Sequence, residues 1–310
     1  MTVTEWQKRL SDNFSEGGII GGNLLPIFQT EDQIGTHFLV DTFKGHDALI
    51  NSFMGFFAGT LRVARLSIGE HGWPDGKANY ALVLAYFLHL FRRFRAAEIL
   101  SQKGYPLDGY ALMRDIKDRT IALGAIAQNF TTILKVLGTL EQPLPQDGDY
   151  GKKSLRKRKD EENRVSRRIV GPESGLAPDV QKTLKQWDDF FHLEVHGGIV
   201  SFMQEIAGFQ KGTGSFIGPT HNQDAYVIYM NRASEIGWLI TRLLPYLQAP
   251  ESAFGRDWEM KRMILDESFR YVAEDMIAIG KHIGEAFIAL VDSKFSFNQP
   301  FHYFEADGSA

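Results

Sequence analysis

The sequence predicts an all-α fold: a single, antiparallel helical-bundle-like domain of six to seven long helices with a basic insert at mid-chain. Three observations predict it. Apolar residues recur at intervals of three and four over most of the 310 residues, the period of an amphipathic helix. No segment alternates apolar and polar with the β-branched enrichment of a strand. Breaks rich in Pro and Gly, such as GEHGWPDG (69–76), EQPLPQDGDYG (141–151) and LPYLQAPES (244–252), separate the periodic runs. Long helices joined by short breaks favour antiparallel neighbours.

Residues 1–40 divide into a short helix over about 4–14 and a Gly-rich lead-in, EGGIIGGNLLPIF. The helical domain is expected over 41–294. Its first helix spans 41–68, where Leu49, Phe53, Phe56, Phe57, Leu61 and Ala64 form an apolar stripe. The next, 79–103, is strongly apolar with RRFR in its second half; Gly104 suits its C-terminal cap and Pro106 follows. A third helix is expected over 107–140. The basic insert, 152–170, reads KKSLRKRKDEENRVSRRIV, in which Lys157/Glu161 and Arg158/Glu162 have helical pairing distance. Pro172 and Pro178 frame a loop before a helix over 179–209. After the loop GFQKGTGSFIGP come helices over 221–247 and 255–294, and 295–310 is an aromatic C-terminal tail.

Composition removes several chemistries. The chain has no cysteine, which excludes disulfides, thiolate nucleophiles, cysteine zinc sites and iron–sulfur clusters. A net charge of −4 leaves any polyanion to a local patch. The 23 phenylalanines suggest thick packing between helices or an apolar surface covered by a partner, and a homodimer is the expected assembly. The polar start MTVTEWQKRLSDNF has no signal-peptide pattern. The longest apolar run, 80–88, falls short of the roughly 18 residues that cross a bilayer. A cytoplasmic protein with no membrane partner is therefore expected. P-loop, dinucleotide, G-x-S-x-G, Glu-x-x-His and H-E-x-x-H patterns are all missing.

Four constellations remain. In WDDFFHLEVHGG (187–198), Asp188, His192 and His196 recur every fourth residue, so a helix sets a carboxylate and two imidazoles on one face. A divalent metal accepts that set if another helix adds a ligand. An acid–base role for His196 and a hydrogen-bonded histidine pair in a polar seam stay open beside it. In MRDIKDRTIAL (113–123), Arg114/Asp118 and Asp115/Arg119 have intrahelical salt-bridge spacing, and a buried Arg114 reaching the His196 helix is the functional reading. Lys152 to Arg168 holds nine Lys or Arg against three acids. That segment could engage nucleic-acid phosphates, although it lacks the aromatics that stack on bases. Finally, the spacing of Arg65 and His71 resembles the R-x4–6-H pattern of HEPN ribonucleases.

The stretches AEILSQKGYPLDGYALMRDIKD (97–118) and WDDFFHLEVHGGIVSF (187–202) resemble an uncharacterised group of bacterial all-α proteins, the DUF5677-type proteins. Together they cover about a quarter of the chain. Met113 stands where that group has Leu, and Asp118 where it has Glu. The resemblance implies a helical bundle in which Arg114, Asp118 and His196 converge. The expected function is that of a helical binding or interaction protein with an Arg/Asp/His seam between helices. The alternative is a hydrolase acting on nucleic acid or another phosphate ester. It would use Asp188, His192 and His196 as metal ligands, or His196 as base with Arg114 and Asp118.

Overall fold

A computed structural model describes residues 25–71, 77–137, 150–197, 221–247, 254–275 and 277–296. All secondary structure among them is helical. In chain order the α-helices are α1 (Leu25–Gln33), α2 (Leu39–Thr42), α3 (Lys44–His71), α4 (Lys77–Gln102), α5 (Pro106–Ala127), α6 (Ile133–Leu137), α7 (Tyr150–Ile169), α8 (Pro178–Gly197), α9 (Gln223–Leu243), α10 (Arg256–Asp275) and α11 (Ile277–Lys294). A π-turn (Ile34–Phe38) joins α1 to α2, and a 3-10 turn (Leu244–Leu247) extends α9. No described helix is long and apolar enough to cross a membrane.

The all-α expectation holds, with differences at the boundaries. Residues 25–40, read as Gly-rich lead-in, are helical. The expected helix 107–140 ends at Ala127, because Asn129 adopts φ +56°, a left-handed conformation that Asn tolerates better than most residues. The expected helix 255–294 is helical on both sides of residue 276, which lies outside the described residues, as α10 and α11. The basic insert is a helix, α7, docked on α5. The expected helix 4–14, residues 198–209 and most of the C-terminal tail lie outside the described residues.

Helix α9 is the spine. Every residue from Tyr229 to Thr241 is buried, so this stretch has no solvent face and must be packed all round. It lies against α3, α5 and α10. Asn222 starts it, its side chain accepting from the Asp224 N–H at 3.0 Å, the usual N-cap geometry. The phenylalanines fill the space between helices: Phe53 of α3 sits 5.2 Å from Phe94 of α4 and 5.7 Å from Phe269 of α10. Trp258 of α10 donates to Thr60 of α3 at 2.8 Å.

Close approach is required where α5 meets α4 and α9. A Cβ on Gly109 would stand 2.7 Å from the Ala97 carbonyl oxygen and 3.0 Å from the Tyr229 ring. Gly55, exposed in mid-α3, has nothing within 4 Å of the same position. Gly109→Ala should therefore cost roughly 1–3 kcal/mol from overpacking. Gly55→Ala should gain roughly 0.5–1 kcal/mol from helix propensity. Urea unfolding of the two variants measures both, and equal effects would mean that the α4–α5 contact is looser than described.

Candidate functional site

Three helices bring the polar seam together. Lys117 shares one face of α5 with Tyr110 and Ile121, at spacings of seven and four. Helix α8 supplies Trp187 and Asp188, and α9 supplies Arg232 and Glu235. The α9 pair is almost completely buried, with side chains 2% and 1% exposed. Arg232 Nη1 donates to Glu235 Oε2 at 2.7 Å and Nη2 donates to the Trp187 carbonyl at 3.2 Å. The guanidinium lies 4.4 Å from the centre of the Trp187 ring, a cation–π contact in a desolvated setting. Trp187 Nε1 donates to both Glu235 oxygens at 3.0 Å. One residue on, Asp188 pairs with Lys117.

Two cations and two carboxylates thus pair with one another, and the cluster is formally neutral. A cavity of about 10 Å³ lies among them, lined by Lys117, Trp187, Asp188, Arg232 and Glu235 with apolar neighbours. That is room for about one water molecule. Burial pushes the Glu235 carboxyl up from the usual glutamate range, and the adjacent Arg232 opposes it. Both carboxylate oxygens are occupied by donors, so the cluster braces the helices and presents no open acid or base.

The sequence-predicted residues are distributed unevenly over this geometry. Asp188 does face the MRDIKD helix, but its partner is Lys117. Arg114 Nε stands 4.0 Å from Asp118 along the same helix, and the Asp118 side chain is 56% exposed. The reason is angular: at about 100° per residue, Asp118 lies one step round α5 from the face that carries Tyr110 and Lys117. The second predicted pair forms, with Arg119 Nε 2.8 Å from Asp115. A metal at Asp188 would have to displace Lys117. Among the described residues no three potential ligands converge. The side chains of His192, His196 and His71 lie outside the described residues, and Arg65 is exposed on α3.

The basic segment is partly committed inside the fold. Arg164 pairs with Glu161 at 2.5 Å and donates to the Phe130 carbonyl at 2.8 Å. Arg167 pairs with Glu173 at 2.9 Å, and Arg168 stacks on Phe130 at 5.6 Å. Glu161 therefore pairs with Arg164, and the expected Lys157 side chain lies outside the described residues. Arg232 and Glu235 were not among the sequence candidates. The signal that marks them is two opposite charges three apart inside YVIYMNRASEIGWLI, a run with no polar face to hold them.

A second polar cluster joins α4 to α9. Glu98, 1% exposed, accepts from the Tyr229 hydroxyl and from Gln102 Nε2, both at 3.1 Å. Burial pushes its carboxyl up to about 7 from the ordinary 4.5, with Tyr229 and Gln102 opposing and Asp47 adding to the rise. The folded protein thus holds a proton that the unfolded chain releases at lower pH.

Two predictions follow from these clusters. Breaking a buried pair leaves one charge uncompensated, so Arg232→Met or Glu235→Leu alone should cost about 3–5 kcal/mol. The double variant should cost about 1–3 kcal/mol less than the sum; additive costs in urea melts would contradict the pairing. For Glu98 the stabilising contribution is present below pH 4.5 and lost as pH rises through about 7. Glu98→Gln should match the wild type near pH 4.5 and exceed it by a few kcal/mol at pH 8. A stability difference independent of pH would show that ionising Glu98 costs nothing.

No protein-family model matches this chain, and no curated protein and no solved structure is significantly similar to it.

Proposed function

We propose that this chain is a helical interaction protein that presents the outer face of α10 to a partner. One observation carries the reading. Helix α10 is apolar on two opposite faces. Its inner face, Trp258, Leu265, Phe269 and Ala273, is buried in the bundle. Its outer face carries Met260, Met263, Ile264 and Tyr271, which are 54, 50, 55 and 71% exposed. Single exposed apolar residues are ordinary, but a band of large ones on one helix marks a contact surface. Met and Tyr are among the residue types enriched in such surfaces. The seam supports the same reading, because its charges are spent on each other and brace α5, α8 and α9.

A photo-activated phenylalanine analogue placed at 264 or 271 in cells should form covalent adducts with a protein partner. The same group at exposed Lys182 or Lys185 of α8 should not. Adducts at neither stripe position, read by gel shift and mass spectrometry, would remove the interaction reading.

A further inference from the structure

The outer face of α10 also carries charges whose placement names its partner. At 100° per residue, Arg256, Met260, Met263, Ile264, Glu267, Tyr271 and Glu274 fall within a band about 100° wide. The neighbouring charges are committed: Lys261 pairs with Asp257 at 2.7 Å, Arg262 with Glu259, and Arg270 with Asp292. Arg256, Glu267 and Glu274 form no ion pair among the described residues. The band is thus basic at its start, apolar through its centre and acidic toward its end.

We propose that α10 packs antiparallel against α10 of a second copy of this chain, about a twofold axis passing near Leu265. This deepens the interaction reading above and rests on it. Arg256 and Glu274 each lie nine residues from Leu265, about 13 Å along the helix. Antiparallel overlay about that point sets Arg256 against Glu274 of the partner subunit at both ends of the contact. Met260 then enters the gap between Glu267 of the partner subunit and Tyr271 of the partner subunit. Met263 and Ile264 meet their counterparts beside the axis. Such a contact is isologous, so each favourable pair occurs twice.

The alternatives fail on charge or on overlap. A parallel pairing sets Arg256, Glu267 and Glu274 each against its own kind. Sliding the antiparallel pair by about one turn in one direction brings the two copies of Glu267 together on the axis. Sliding it the other way carries Glu274 past the first residue of the partner's α10, so the pairs at both ends are lost. The axis near Leu265 uses the whole band and pairs both of its ends, whereas an axis about two turns earlier pairs Arg256 with Glu267 of the partner subunit but overlaps only about half of the helix. The contact is one helix wide, below the roughly 800 Å² per partner of a standard interface, so a reversible dimer of micromolar strength is expected.

Sedimentation velocity of the purified full chain from about 1 to 200 µM reads the dimer directly. The expected result is a shift from the 35.0 kDa of one chain toward twice that mass as concentration rises. Ile264→Glu should abolish the shift. Arg256→Glu and Glu274→Arg should each weaken self-association about tenfold, since each replaces two attractive pairs with two repulsive ones. An equimolar mixture of those two variants should restore association, because the mixed dimer regains both opposite-charge pairs. Thermal melts of all variants should match the wild type, since the substituted residues lie on the solvent face. A wild type that stays monomeric throughout overturns the proposal, as does self-association that the charge reversals and their mixture do not change. Monomers in solution with stripe adducts to a different protein in cells would overturn self-pairing and leave the interaction reading intact.

Discussion

The structure depends on an ion pair placed inside a helical stretch that has no solvent face. Arg232 and Glu235 lie three residues apart in α9, in the middle of a stretch buried on every side. Removing two charges from water is costly, and their mutual attraction offsets that cost only when further hydrogen bonds satisfy the remaining groups. Here those bonds come from one residue on another helix: Trp187 gives its indole N–H to Glu235, its carbonyl to Arg232, and its ring face to the guanidinium. The α8–α9 register is therefore dictated by chemistry as well as by shape. Rotating α8 by one residue, about 100°, would withdraw all three contacts. It would also break Asp188 from Lys117, which ties the same helix to α5.

The far end of α9 repeats the device in a half-buried form. Trp238 Nε1 donates to Asp266 of α10 at 2.6 Å, and Arg242 Nη2 donates to the same carboxylate at 2.7 Å. Arg270 of α10 lies 5.4 Å above the Trp238 ring. An aromatic ring over a guanidinium with an indole N–H on a carboxylate thus pins the middle of the spine to α8 and its C-terminal part to α10. Through it α10 is held in one orientation, and its outer face is held in one orientation with it.

Most of the helices were legible in the sequence, because a period of three to four is a strong local signal. What failed was where that signal is interrupted by conformation alone. Asn129 ends a helix with no Pro or Gly beside it, and residues 25–40 are helical despite the glycines before them. The seam was half legible. WDDFFHLEVHGG and MRDIKD do come from the facing helices, and Asp188 was on the right face. Lys117 is the MRDIKD residue that meets Asp188. The sequence did not single it out, because spacing along one helix says which residues share a face and not which face meets the neighbour. The convergence of Arg114 and Asp118 with His196 lies outside the described residues. Arg232 and Glu235 were passed over because salt-bridge spacing usually means a solvated surface. Only the apolar residues all round them distinguish a buried pair.

The fold inverts the usual arrangement at two places, and the two inversions have different physical standing. Charge inside the bundle is explained by folding: the buried pair sets register, and each member has its partners. Apolar surface outside α10 is not explained that way. The bundle is held by the inner face through Trp258, Leu265 and Phe269, and none of Met260, Met263, Ile264 or Tyr271 adds to that packing. On a solvated helix face the residues that favour the fold are Ala, Glu, Lys and Arg, while β-branched Ile and aromatic Tyr carry a propensity cost. Ile264 and Tyr271 therefore lower the stability of the isolated chain slightly, and the four side chains together raise its tendency to associate. Such a band is favourable only when something covers it, and the Arg256-to-Glu274 polarity along it matches a copy of itself running the other way.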